Sequence, residues 1–250
     1  MTLQAFFQAN PRAALAFSGG VDSAYLLYAA LDHGAQVRPY FIKTAFQPQF
    51  ELEDARRLTS ELEVPMTVVE ADILSVPEAA ANGPQRCYHC KTALFSRLRQ
   101  AAREDGYTVL LDGTNASDDA GDRPGMRALR ELEVRSPLRE CGLTKDEVRR
   151  RSREAGLFTW DKPAYACLAT RIPTGAPITK EDLEKVERAE GALHALGFRD
   201  FRVRLFHGAA RLQVTEEQLP LVLEQREAIS SSLGAAFDGV LLDLKPRGLE

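Results

Sequence analysis

The sequence predicts an α/β fold, a doubly wound parallel sheet, with a small α+β domain after it. Three observations carry this. Up to residue 115, short apolar runs that read as strands alternate with apolar-periodic segments that read as helices. The run at 13–17 is continuously apolar and that at 37–42 is apolar apart from Arg38, as expected of strands buried on both faces. From residue 178 onward the order becomes helix, two adjoining strands, helix and strand, an α+β arrangement.

In chain order, the first strand covers 13–17 and runs into Ser18-Gly19-Gly20-Val21-Asp22-Ser23. Val21, Ala24, Leu27, Tyr28 and Leu31 then recur at helical spacing. A second strand follows at 37–42, and Leu52, Ala55, Leu58 and Leu62 mark a helix. A third strand lies at 66–69. Ala93, Leu94, Leu98 and Ala101 mark another helix, and the strand at 109–111 ends in Asp112-Gly113-Thr114-Asn115. Residues 115–135, with Asp118, Asp119, Gly121, Asp122, Arg123 and Gly125, have little periodicity and read as a long polar loop, a substrate lid or a mobile segment. Thr144 and Glu147 form a capping-box pattern for a helix that ends near Gly156. Residues 160–171 read as irregular, and Pro173, Gly175 and Pro177 as a linker. The expected domains are therefore 1–177 and 178–250. The second comprises a helix at 180–196, strands at 201–206 and 210–214 turning at His207-Gly208, a helix at 216–230 and a strand at 240–244.

Composition narrows the function. With 250 residues, 44% hydrophobic and 27% charged, the chain reads as an ordinary globular protein of one large domain plus a small one. A net charge of -4 argues against a broad nucleic-acid footprint. No apolar run approaches the roughly 18 residues that span a bilayer. The first ten residues lack a basic region followed by an apolar core, so the expectation is a cytoplasmic protein. Its four cysteines would then be reduced, favouring metal or catalytic roles over disulfides.

The 18–23 stretch has the chemistry of a phosphate site. Two glycines let backbone approach a ligand, and free N–H groups at a helix start favour an anion. Ser18 and Ser23 add hydroxyl donors. Asp22 would repel phosphates unless a divalent cation such as Mg²⁺ lay between them. In parallel sheets ligands bind at the carboxyl ends of strands, so Gly113 and Thr114 join the expected nucleotide site.

Ser18-Gly19-Gly20-Val21-Asp22-Ser23 resembles the SGGxDS loop of the ATP pyrophosphatase (PP-loop) superfamily. That likeness implies an adenine nucleotide alpha hydrolase-like domain that cleaves ATP to AMP and pyrophosphate through an adenylated intermediate. Two further stretches, Arg86-Cys87-Tyr88-His89-Cys90-Lys91 and 162–171 with Cys167, together with Arg202-Val203-Arg204, resemble the LarE-type ATP-dependent sacrificial sulfur transferases. The resemblance implies adenylation of a carboxylate of pyridinium-3,5-biscarboxylate mononucleotide, then conversion to a thiocarboxylate, in making the nickel-pincer nucleotide of lactate racemase. It places Cys167 as the thiol that attacks the acyl adenylate, gives up its sulfur and remains as dehydroalanine. Thr170 stands where serine is more usual in the family.

The residues themselves allow that chemistry. A thiolate is a strong nucleophile once its pKa is lowered, and Arg171 and Lys162 are the nearby cations in sequence. Taken alone, Cys167 reads equally well as a buried structural cysteine. Arg202 and Arg204 alternate on a strand and so share a face, which suits a substrate phosphate or a merely solvated sheet surface. With Arg171 they form the expected phosphate set. Glu190 matches an acidic metal ligand of the family, although by itself it reads as a surface residue. Cys87 and Cys90 are a C-x-x-C pair whose spacing fits a redox pair, half a zinc site completed by Cys141, reduced thiols, or cluster ligands. The resemblance adds the cluster reading: Cys87, Cys90 and Cys167 would hold a [4Fe-4S] cluster with one open iron, as an alternative to a consumed cysteine. Cys141 has no assigned role. The implied partners are a small nucleotide substrate and further copies of the chain, with no nucleic acid or membrane. Three other readings stay open: an ammonia-using amidotransferase or NAD-synthetase-like enzyme, a tRNA thiolase, and a nucleotide sensor without turnover.

Overall fold

The computed structural model describes residues 1–118 and 124–248, so Asp119, Gly121, Asp122 and Arg123 of the expected lid lie outside the described residues. The chain packs as two compact units. One comprises Met1–Ala79 and Gln85–Lys162, the other Ala80–Pro84 and the chain from Pro163 onward.

The first unit holds β1 (Arg12–Ala16), β2 (Gln36–Lys43), β3 (Thr67–Glu70) and β4 (Leu110–Leu111). They form one sheet in the order β3-β2-β1-β4, all parallel. Its helices are α1 (Leu3–Ala9), α2 (Val21–Asp32), α3 (Gln49–Glu61), the short α4 (Pro77–Ala80), α5 (Arg86–Glu104), α6 (Pro124–Glu131), the short α7 (Pro137–Glu140) and α8 (Lys145–Glu154). Alternation along β1 sorts them into two layers. Ala13 and Leu15 face the cluster of α1, α2, α3 and α8, with Phe6, Leu26, Leu58 and Val148. Ala14 faces the other layer, with Leu98 and Ala102 of α5. A strand covered on both sides has no polar face to offer, which is why β1 is apolar after its exposed first residue, Arg12.

The second unit contains α9 (Lys180–Ala195), β5 (Arg202–Phe206), β6 (Ala209–Gln213), α10 (Leu219–Glu224), α11 (Arg226–Gly234) and β7 (Val240–Leu242). β5 and β6 are antiparallel and β6 and β7 parallel. His207 and Gly208, at φ 48° and 82°, make the tight hairpin turn, whose left-handed backbone matches strand twist. Leu193 of α9, Val203, Leu212, Ile229 and Phe237 form its core.

Residues 163–177 pack with this second unit rather than with the nucleotide-loop sheet. The buried Asn82 side chain donates to the Pro173 carbonyl (2.9 Å) and the Ala176 carbonyl (3.0 Å), and Ile178 N–H donates to Ala80 O (2.8 Å). Two expectations of local structure are corrected. Part of the 115–135 segment is helical, since α6 closes on α5 by burying Ala128 and Leu129. The single helix expected at 216–230 is two, because Gln225 ends α10 at φ -100°, ψ 15° and its side chain is fixed to the Leu196 carbonyl (3.1 Å).

Candidate active site

The carboxyl ends of β1 and β4 are adjacent, so the loops after them meet. A cleft of about 250 Å³ is lined by Ser18, Gly20, Asp22 and Ser23 from one loop and Asp112, Gly113 and Thr114 from the other. Three glycines explain the closeness. Gly19 sits at φ 70°, and a Cβ there would come 3.1 Å from the Ala55 backbone nitrogen. A Cβ on Gly113 would lie 2.9 Å from the Ser23 nitrogen. At Gly20, the N-cap of α2, a side chain would meet only the Ser18 hydroxyl, so this backbone is open to the cleft. The first N–H groups of α2 have no intrahelical carbonyl, as at any helix start, and Asp22 and Ser23 of that first turn line the cleft. The Ser18 and Ser23 hydroxyls lie 3.2 Å apart, and Ser23 also donates to Gly20 O (3.1 Å), fixing the loop's shape.

Around this loop stand Lys145, which the sequence leaves without a role, and Lys162, which the sequence sets beside Cys167 as a cation that could lower the thiol pKa. Lys145 pairs with Asp22 (Nζ–Oδ2 2.5 Å), and the buried Asn115 donates to the other carboxylate oxygen (3.1 Å). Lys162 pairs with Asp54 (2.6 Å) and donates to the Gly19 carbonyl (3.4 Å). The Asp112 carboxylate accepts from the Thr114 hydroxyl (2.6 Å) and the Ser136 hydroxyl (2.7 Å), setting the second loop. The groups here suit a nucleoside triphosphate with Mg²⁺: backbone N–H groups, hydroxyls, two lysines and the carboxylates of Asp22, Asp112 and Asp118. Mg²⁺ commonly takes one or two carboxylates plus phosphate oxygens rather than an all-protein cage.

The second unit holds the other expected residues. Cys167 caps the 3₁₀ turn Leu168–Arg171, and its carbonyl accepts from Thr170 N–H (3.0 Å) and the Thr170 hydroxyl (2.9 Å). Its side chain is half-buried and in no disulfide. Arg171 is fully buried and donates to both Glu190 oxygens (2.7 and 3.1 Å). Burial works against its charge, but the hydrogen-bonded Glu190 carboxylate outweighs that and holds the guanidinium above its ordinary range. Glu190 also accepts from the Tyr165 hydroxyl (2.5 Å) and Val203 N–H (2.9 Å). It is thus a buried anchor rather than a surface residue, and its carboxylate is taken by protein donors.

Arg202 and Arg204 share a face of β5, and that face is not a solvated one. Arg202 is buried, donates to the Phe201 carbonyl (2.5 Å) and the Ala164 carbonyl, and stacks with Arg171 on the Tyr165 ring. Burial first, then the charges of Arg171 and Arg247, lower its pKa to about 10. Arg204 donates to Gln213 (2.6 Å) and the Thr170 carbonyl, and burial lowers its pKa too. Arg211 and Arg247 adjoin this group, and their buried Nε atoms have no hydrogen-bond partner among the described residues. Five arginines here meet three acids, Glu190, Asp200 and Asp243.

Cys87 and Cys90 occupy the first turns of α5 in the first unit, Cys87 exposed and Cys90 half-buried. Burial raises the Cys141 thiol pKa. Among the described residues no group of three or more His, Cys, Asp or Glu side chains is placed to hold a metal ion. Cys87 and Cys90 lie in the first unit and Cys167 and Glu190 in the second, and none of the four belongs to such a group. No helix among the described residues is long and apolar enough to cross a membrane.

A parallel α/β unit with a glycine loop between its first strand and the following helix defines the class, a PP-loop protein. Residues 12–83 match the family model for queuosine biosynthesis protein QueC. The chain is 37% identical over 248 residues to an uncharacterized protein of Synechocystis, covering 97% of this chain and 92% of the relative. It is 32% identical over 246 residues to the pyridinium-3,5-bisthiocarboxylic acid mononucleotide synthase of Lactiplantibacillus plantarum, covering 97% and 89%. It is 29% identical over 236 residues to an uncharacterized protein of Methanocaldococcus jannaschii, covering 94% and 90%. The chain belongs to the LarE-type family of PP-loop proteins.

Proposed function

We propose that this protein is an ATP-dependent sulfur transferase that activates a carboxylate of pyridinium-3,5-biscarboxylate mononucleotide and converts it to a thiocarboxylate. The observation that carries the reading is the 18–23 loop, held open on a cleft with two lysines beside it, in a chain aligned nearly end to end with a synthase of the bisthiocarboxylic mononucleotide.

Each part has a task. The loop N–H groups and hydroxyls bind the phosphates of ATP, and bound Mg²⁺ supplies charge neutralisation there. The carboxylate attacks the α-phosphorus and pyrophosphate leaves, giving a carboxyl adenylate. The Cys167 thiolate then attacks the acyl carbon and expels AMP. Removal of the Cys167 α-proton and cleavage of its Cβ–S bond release the thiocarboxylate and leave dehydroalanine. The excess of arginines over acids in this group supports binding of a substrate phosphate by Arg202 and Arg204. Arg171 is better understood as their support, because its fork is engaged by Glu190.

The test is turnover of the biscarboxylate mononucleotide with ATP and Mg²⁺, followed by pyrophosphate release and intact mass. Loss of one sulfur and two hydrogens from the chain is expected, and Cys167→Ala should release pyrophosphate without forming thiocarboxylate. Undiminished product from Cys167→Ala would sink the reading in favour of an external nucleophile such as ammonia.

A further inference from the structure

Asp22 is paired with a cation of the chain itself. Lys145 is the first residue of α8, and its backbone N–H is held by the Ser117 hydroxyl at 2.9 Å. From there its ammonium reaches Asp22 at 2.5 Å, while Asn115 occupies the other carboxylate oxygen. The pair is not sealed: the side chains are 29% and 22% exposed. A partly exposed pair of this kind is weak and readily exchanged. Lysine carries its charge on a flexible stem, so the ammonium can leave Asp22 without moving α8.

We propose that Lys145 is a phosphate-gripping residue of the cleft, parked on Asp22 until a metal-bound triphosphate arrives. The inference rests on the nucleotide reading above. Parked, Lys145 neutralises a carboxylate that would otherwise repel incoming phosphates at the helix start. A divalent cation and Lys145 compete for Asp22. The phosphate oxygens give the displaced ammonium a new partner, and because the leaving pyrophosphate carries most of the charge, Lys145 favours it over a nucleoside monophosphate.

Calorimetric titration of the full chain separates this from a plain tether between α2 and α8. The probes are ATP with Mg²⁺, pyrophosphate with Mg²⁺, AMP, and Mn²⁺ alone. For Lys145→Met the expected result is a loss of roughly tenfold or more for ATP and pyrophosphate, the scale of one charge-assisted contact. AMP affinity should hold, showing that the cleft is intact, and Mn²⁺ alone should bind more tightly. Lys145→Arg should recover most of the pyrophosphate affinity. Equal losses for ATP, pyrophosphate and AMP, or no change in pyrophosphate affinity, would overturn the inference alone. Failure of the unaltered chain to bind any nucleotide or pyrophosphate would overturn the nucleotide reading and this inference with it.

Discussion

The two units treat charge in opposite ways. In the first, Asp22, Lys145, Lys162 and Asp54 form partly exposed pairs around an open loop. In the second, Arg171 and Glu190 form a pair with side chains 0% and 5% exposed, and the carboxylate is further bound by Tyr165 and a backbone N–H. Exposed pairs cost little to rearrange, so they suit a place where ligands and metal come and go. A buried pair cannot give up one partner cheaply, so it suits a scaffold that fixes neighbouring groups. The contrast assigns exchange to the loop and rigidity to the surroundings of Cys167.

The sharpest way to break this contrast is to remove one buried partner. Glu190→Ala leaves the Arg171 guanidinium uncompensated and should destabilise the protein by about 3–5 kcal/mol, read by chemical denaturation. Glu190→Gln, which keeps a hydrogen-bond acceptor, should cost less. A loss below about 1 kcal/mol for the alanine variant would mean that water reaches Arg171 and the pair is not a scaffold.

The next effect is at the loop. In Gly113→Ala the new Cβ would meet the Ser23 backbone at 2.9 Å, pushing the start of α2 away. A cost of about 1–3 kcal/mol is expected from overpacking, with weaker ATP binding, measured by thermal melting and titration. Unchanged nucleotide affinity would show that the β4 loop does not set the shape of the phosphate site.

A smaller effect is expected at Lys162, whose pair with Asp54 is partly exposed. Lys162→Met should change stability by no more than about 1 kcal/mol while weakening ATP binding. A large stability loss with intact binding would place Lys162 among the scaffold groups instead.

What was legible in the sequence follows the range of the interactions. The strand, loop and α2 are local, and the change of hydrophobic period announces them. The Thr144 cap is local too: its hydroxyl accepts Glu147 N–H, although the Glu147 carboxylate turns to Arg150 and Arg151 instead of completing the box. The lysines were not legible as cleft residues, because Lys145 meets Asp22 across 123 positions and Lys162 meets Gly19 across 143. Glu190 did carry a signal. It lies four residues after Val186 and three before Leu193, on the buried stripe of α9. A charged residue at such a position needs a buried partner, and Arg171 is that partner. Helix α6 gave no comparable signal, since Pro124, Gly125 and the arginines mask its short apolar face of Ala128 and Leu129.

The smallest expected effect is a pH dependence that belongs to the second unit alone. Burial and its arginine neighbours lower the folded-state pKa of Arg202 to about 10, below the ordinary guanidinium range. The folded protein therefore releases that proton more readily than the unfolded chain. Below pH 10 both states carry the charge, and the full cost of burying it opposes folding. As pH rises from 10 toward the ordinary guanidinium range, the folded state sheds the proton first and the cost is relieved. Relative to an Arg202→Met variant, which has no such charge, the unaltered protein should gain stability over pH 9 to 11, read as denaturation midpoints on the two chains side by side. Lysine and tyrosine titrations elsewhere are common to both and cancel in the difference. A flat difference would mean that the folded protein keeps the Arg202 proton through pH 11, its hydrogen bonds and neighbouring carboxylates offsetting the effect of burial.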